Sequence, residues 1–194
     1  MVIIGLVGNK NVGKDTVADY FVKHGFKKIT FASSLKKATG ELFNWNERQL
    51  NEDKEIIDKN WGIAPRRILQ ILGTEFLREY CKDIIDTSIS YNNEKKVFSY
   101  HIKKLFLDNK NDIIMNKNII ISDIRFLDEY NFVKWIGGKI IKINRNVKNN
   151  EYSDHISEIS VNNIENFDYS FDNNYTIGHL YKTIDLILEN NIYC

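Results

Sequence analysis

Cysteine and proline are almost missing from this chain of 194 residues, which has two of the first and one of the second. The cysteines, Cys81 and Cys194, stand alone, outside any CxxC or Cys/His cluster. That isolation speaks against a structural zinc site and a disulfide framework, and it fits a reducing, cytoplasmic compartment. Charge of one sign is lacking too: 27 basic residues meet 26 acidic ones, for a formal net charge of +1. The balance argues against gripping nucleic acid by bulk charge, and direct nucleic-acid binding is not expected. No run approaches the roughly 20 apolar residues of a membrane span, so no membrane association is expected either. The apolar opening, Met1 to Val7, is too short for a secretory core and runs at once into Gly8-Asn9-Lys10. What is present is globular composition, 43% hydrophobic and 27% charged, in a length that suits one domain.

Strand-like and helix-like stretches alternate along the chain. Val2–Val7 is a continuous apolar run, as expected of a strand buried on both faces. Lys14–His24 has helical period, with Val17, Ala18 and Phe21 on one face. Lys28–Ala32 reads as a short strand, Ser34–Phe43 as a helix and Glu47–Lys59 as a polar helical segment. Pro65 suits the first position of a helix that runs to about Tyr80. Lys82–Lys117 is ambiguous, part helix and part irregular. Asn118–Ser122 is a buried strand, Leu127–Ile136 a helix stopped by Gly137-Gly138, and Lys139–Asn144 another strand. Asp168–Asp172 offers a fifth strand and Gly178–Asn190 a closing helix. Asn-rich stretches near 144–150 and 162–174 read as loops. Such alternation implies an α/β fold, a mostly parallel sheet with helices on both faces.

Between the first strand and first helix lies Gly8-Asn9-Lys10-Asn11-Val12-Gly13-Lys14-Asp15-Thr16, a GxxxxGK loop. Its chemistry is physical: backbone N–H groups ring an anion, the helix N-terminus adds positive potential, and Lys14 reaches the β- and γ-phosphates. Asp15 stands where Ser or Thr usually ligates magnesium, and Thr16 follows. Asp15 could contact Mg²⁺ directly or through water, accept a proton from the nucleophile, or simply favour the first helical turn. Asn109-Lys110-Asn111-Asp112 spells the NKxD of small GTPases, but no Asp has a Gly three places on, so the DxxG of a GTPase switch is missing.

Arginine is scarce: Arg48, Arg66, Arg67, Arg78, Arg125 and Arg145. It is worth keeping where a planar fork must hold an oxyanion, a task lysine does poorly. All but Arg48 fall in places suited to a phosphate site. Arg66 and Arg67 open the Pro65 helix, and Arg78 shares a face of it with Gln70 and Thr74 near the gap at Gly73. Arg125 follows a strand at the carboxyl edge, where α/β sheets bind ligands. Arg145 ends the next strand. Surface salt bridges are the bland reading for each, and taken singly they suffice for Arg66 and Arg67. Asp123 ends the strand Ile-Ile-Ile-Ser and could hold a magnesium-bound water, anchor Arg125, or cap a loop.

The motifs Gly8–Thr16, Phe31–Lys36, Pro65–Arg78 and Ser122–Glu129 occur in that order, followed by Gly137-Gly138, Arg145, Asp154–Glu158 and Asp172-Asn173-Asn174. As a set they resemble the deoxynucleoside monophosphate kinases of phages and large DNA viruses, over nearly the full chain. The PRxxLQxLGTExxR-like helix is the most specific piece. The resemblance implies a three-layer α/β/α P-loop kinase fold with a five-stranded sheet, a helical substrate-binding insertion at about 44–117 and a lid at about 145–163. It implies ATP with Mg²⁺ and a deoxynucleoside monophosphate as substrates, in the host-cell cytoplasm for a viral chain. Gly8, Asn11, Val12, Gly13, Lys14, Asp15, Thr16 and Arg145 would serve ATP, with Asp15 and Thr16 toward the metal. Lys36, Arg66, Gln70, Thr74 and Arg78 would serve the monophosphate, and Asp123 and Arg125 would lie between the two. Lys14, Asp15, Asp123, Arg125 and Arg145 are the candidate catalytic residues; His155 and Glu158 receive no role. Two rivals stay open: another small-molecule P-loop kinase, of dephospho-coenzyme A or nucleoside type, and a non-catalytic nucleotide-binding accessory protein. A homodimer is compatible with the sequence.

Overall fold

Ile3–Val7 contributes nothing polar to either side, so it can sit only where both faces are covered. The computed structural model describes residues 2–115, 117–146 and 164–192. In it, Ile3–Val7 is strand β1, fully buried, at the centre of a five-stranded sheet. The others are β2 (Lys27–Ile29), β5 (Ile119–Ile124), β6 (Lys139–Asn144) and β7 (Tyr169–Asp172), in the order β2-β5-β1-β6-β7. Every pairing in this sheet is parallel. The chain divides into two units, Met1–Thr30 with Asn109–Cys194, and Phe31–Asp108.

The sheet belongs to the first unit. Helix α1 (Lys14–Lys23) and the closing helix α7 (Ile177–Ile192) cover one face. Val17, Ala18 and Phe21 of α1 and Leu180, Ile184 and Leu188 of α7 join Ile4, Leu6, Ile120, Ile141 and Ile143 in one buried cluster. Strand side chains alternate, so Ile3 and Gly5 point the other way. On that side a Cβ at Gly5 would lie 3.3 Å from Val133 of α6 (Leu127–Trp135). The result is the α/β/α layering expected of a parallel sheet whose crossovers pack on both faces.

The second unit carries α2 (Ser33–Phe43), the five-residue α3 (Glu47–Asn51) and α4 (Pro65–Gln70). Pro65 opens α4 as expected, but from Ile71 to Tyr80 the helix widens into π geometry. Its end is marked by an i+5 bond, Cys81 N–H to the Phe76 carbonyl at 2.9 Å. The ambiguous stretch resolves into an antiparallel hairpin, β3 (Ser88–Tyr91) and β4 (Glu94–Val97), then α5 (Tyr100–Ile114). Asn92 and Asn93 form the two-residue turn with φ of 48° and 63°, the left-handed pair that a hairpin of this length prefers.

Two expectations need correction. The polar helix over Glu47–Lys59 stops at Asn51, where the N–H groups of Glu52 and Asp53 both turn back to the Arg48 carbonyl, at 2.9 and 3.0 Å, and further on Asp58 turns the chain by accepting the N–H groups of Asn60 and Trp61. The strand expected to reach Ala32 ends at Ile29. Of the 145–163 segment, residues 147–163, with His155 and Glu158, lie outside the described residues, as does Cys194. Among the described residues no helix is long and apolar enough to cross a membrane.

The NKxD-like tetrapeptide has a structural task. It lies in α5, where Asn109 and Asp112 take the Lys27 ammonium at 2.9 and 2.5 Å and Asp112 also takes Lys117 at 2.7 Å. Hydrogen bonds from Lys117 and then Lys27 hold the Asp112 carboxyl down to about 2. A carboxyl depressed in the folded state stabilises above its ordinary pKa, and that stabilisation fades as pH falls through the folded value. A carbon-detected NMR titration should therefore find Asp112 ionised down to about 2 in the native protein. Lys117→Met should return it toward the ordinary carboxylate range; an unmoved titration would show that the ion pair is not what holds it.

Candidate active site

Where β1 ends, the chain must reverse from strand to helix in a few residues while leaving its amides turned toward one point. Two residues of the Gly8–Thr16 loop adopt the left-handed conformation, Asn11 with φ 66° and Gly13 with φ 101°. Alternation of hand along such a stretch turns successive N–H groups to the same side and forms an anion nest. Gly8 is glycine for a different reason: a Cβ there would lie 2.5 Å from the Ile143 carbonyl oxygen of β6. Val12 anchors the loop from within, its side chain buried in the cluster with Ile143 and Leu180. Lys14 folds its ammonium over the loop, 2.6 Å from the Gly8 carbonyl and 2.8 Å from that of Asn9.

Asp15 and Thr16 occupy the exposed first turn of α1. The Asp15 carboxylate stays 86% exposed, with one oxygen 3.1 Å from the Lys28 ammonium. Lys28, on β2, also reaches Asp19, one turn along α1, at 2.9 Å. Burial pulls the Lys28 ammonium down, but its bonds to Asp19 and Asp15 more than offset this and its pKa is raised, so it stays charged. Asp15 thus presents hard oxygen at the mouth of the nest, with a hydroxyl beside it. Magnesium takes such donors one or two at a time, keeping waters and substrate phosphates for the rest, so the donor set fits that ion. Among the described residues no group of three or more His, Cys, Asp and Glu gathers.

Asp123 lies within β5, one residue before its end, and Arg125 follows directly, both half-buried at the carboxyl edge. The backbone of Arg125 is fixed by Glu129, a buried carboxylate of α6. Its Oε2 accepts the N–H groups of Arg125 at 2.8 Å and Phe126 at 3.2 Å. Glu129 had no role in the sequence reading, although an acid in the first turn of a helix is a legible cap signal. Arg145 follows β6 and is exposed. The loop, Asp123, Arg125 and Arg145 all belong to the first unit.

The other candidates belong to the second unit. Lys36 donates to Asn51 Oδ1 at 2.7 Å. Arg66 sits in the first turn of α4, its side chain 15% exposed and one guanidinium nitrogen 3.2 Å from Glu55. Arg67, in contrast, forms an exposed ion pair with Glu75 at 2.8 Å, so here the surface reading prevails. Gln70, Thr74 and Arg78 recur every four residues and are half-buried, while Glu75, Phe76, Glu79 and Tyr80 are exposed. The π geometry is pinned by buried His101, whose Nε2–H donates to the Gly73 carbonyl at 2.8 Å. A Cβ on Gly73 would meet Leu35 of α2 at 2.7 Å, so glycine sets how closely α2 and this helix approach.

A protein of Acanthamoeba polyphaga mimivirus with the provisional name deoxynucleotide monophosphate kinase is 37% identical over 199 residues, spanning 98% of this chain and 97% of its own. The chain belongs to the deoxynucleotide monophosphate kinase family. No protein-family model matches it. Among solved structures, TT1252 from Thermus thermophilus aligns with a TM-score of 0.52 at 13% identity over 97% of both chains. Dephospho-CoA kinase from Campylobacter jejuni aligns at 0.51 and 15%, over 97% of this chain and 96% of its own. These two share the fold. For this family member, substituting Gly8 tests the loop: Gly8→Ala must push the turn away from Ile143, a clash of overpacking kind. ADP affinity measured by calorimetry should fall by about tenfold or more, and unchanged affinity would mean that the loop absorbs the methyl group.

Proposed function

We propose that this protein transfers the γ-phosphoryl group of ATP to the phosphate of a deoxynucleoside monophosphate, giving the diphosphate and ADP. The bond from the γ-phosphorus to its bridging oxygen breaks, and a bond to an acceptor phosphate oxygen forms. The observation that carries the reading is the Gly8–Lys14 nest at the end of a buried central strand, in a chain matched over its full length by a relative bearing that name.

Such transfer asks for in-line positioning and neutralised charge more than for covalent help. The loop amides from Gly8 to Gly13 hold the ATP phosphates, and Lys14 leaves its carbonyl contacts to follow the charge on the γ-phosphoryl oxygens. Asp15 and Thr16 are the residues that would hold Mg²⁺, directly or through water. Held there, the ion would supply neutralisation of phosphate charge. Arg125 and Arg145 offer forks to oxygens that gain charge during transfer, and Asp123 orients its neighbours. Lys36, Arg66, Gln70, Thr74 and Arg78 bind the acceptor. The ion pair of Arg66 with Glu55 supports this role, because it holds the guanidinium near one orientation.

A coupled ADP-release assay with every deoxy- and ribonucleoside monophosphate, and with dephospho-coenzyme A, tests the reading. Turnover with at least one deoxynucleoside monophosphate is expected; turnover with dephospho-coenzyme A alone, or none, overturns it. Lys14→Ala should lower kcat by roughly 10²–10³-fold, as loss of a preorganised charge donor does. Arg125→Lys should lose about tenfold or more in kcat/KM, since an ammonium cannot reproduce a planar fork. Full activity in the Arg125→Lys variant would make Arg125 structural.

A further inference from the structure

A nest that turns its amides inward turns its carbonyls outward, and those carbonyls need donors of their own. The donor for Val12 comes from the far end of the chain. Asn173, the residue after β7, gives its side-chain N–H to the Val12 carbonyl at 2.9 Å, across 161 positions of sequence. The acceptor is a carbonyl, so the amide must face it with nitrogen. Its backbone is fixed as well, because the Asn173 N–H donates to the Asn144 carbonyl at 2.7 Å and so extends the β6–β7 ladder by one bond. The next residue continues the tie, with Asn174 Oδ1 accepting the Asn146 N–H at 2.8 Å. Gly13 completes the fit: a Cβ there would lie 2.5 Å from Asn173 Nδ2, so the left-handed glycine of the loop is also the surface against which the asparagine lies.

We propose that Asn173 is a positioning residue for the phosphate loop. By holding the Val12–Gly13 peptide, it keeps the amides at the mouth of α1 turned toward the phosphates before nucleotide arrives. Asn173 touches no phosphate itself. Its effect belongs to ATP and ADP affinity, and the acceptor should be indifferent to it.

The inference rests on Gly8–Thr16 being the ATP loop, and the experiment separates the two. ADP and inorganic tripolyphosphate are titrated by calorimetry into the whole protein and its Lys14→Ala, Asn173→Ala and Asn173→Asp variants, with melting temperatures and KM for both substrates. Asn173→Ala should weaken ADP and tripolyphosphate by about tenfold, the scale of one hydrogen bond. KM for ATP should rise with it, and KM for the monophosphate should stay as it was. Asn173→Asp preserves volume and supplies a second readout. Ionised, it sets negative charge against the Val12 carbonyl and weakens binding further; protonated, it donates where the amide did. The ratio of its ADP affinity to that of the unmodified protein should therefore recover as pH falls from about 7 toward about 4, where an aspartate carboxyl takes up its proton. A ratio flat with pH, or a lowered melting temperature with unchanged ADP affinity, overturns the positioning role. Lys14→Ala binding ADP normally would overturn the loop assignment beneath it.

Discussion

Peptide groups cannot point both their ends at a ligand. The left-handed residues Asn11 and Gly13 after β1 give the loop a conformation that turns neighbouring N–H groups to one side, and the opposite ends of those peptides need donors of their own. Much of what surrounds it follows from that requirement. Lys14 covers the carbonyls of Gly8 and Asn9, Asn173 covers that of Val12, and Val12 fastens the turn to the core below. The parallel sheet brings these pieces together, because parallel strands end on one edge and deliver their following residues to the same side. Gly8 after β1, Arg125 after β5, Arg145 after β6 and Asn173 after β7 are all residues of that edge.

Charge is handled in the same local way. The chain is almost neutral overall, yet its cationic side chains are held by specific acids. Lys28 lies against Asp15 and Asp19, Arg66 against Glu55, and Lys27 against Asp112. Where such pairs face solvent, as Asp15 does, they add little to stability. Their effect is orientational: a long side chain that would otherwise sample many rotamers is kept near one of them.

The sequence made the central part of the fold plain and hid what depends on tertiary contact. The run Val2–Val7, the glycine spacing after it and the stop at Gly137-Gly138 are local signals, and they mark β1, the strand-to-helix turn and the end of α6. The π segment was invisible because residues four apart share a face in either helix; only the backbone bonding distinguishes the two. The hairpin carried its signal in Asn92-Asn93, but the fully exposed strand Glu94–Val97 has no apolar alternation to announce it. Arg66 and Arg67 look alike in sequence, and only the burial of one and exposure of the other separates them. Asn173 stood in a recognisable motif without a task, since its partner lies at the opposite end of the chain.

The strand order carries a consequence for how the molecule is made. β1 is synthesised first, yet its two neighbours, β5 and β6, begin only at Ile119 and Lys139. An entirely apolar strand must therefore wait, unpaired, while the whole stretch from Gly8 to Asn118 leaves the ribosome. Closure of contacts so distant along the chain is intrinsically slow. The second unit, whose residues emerge during that interval, has time to gather its own helices before the sheet can form.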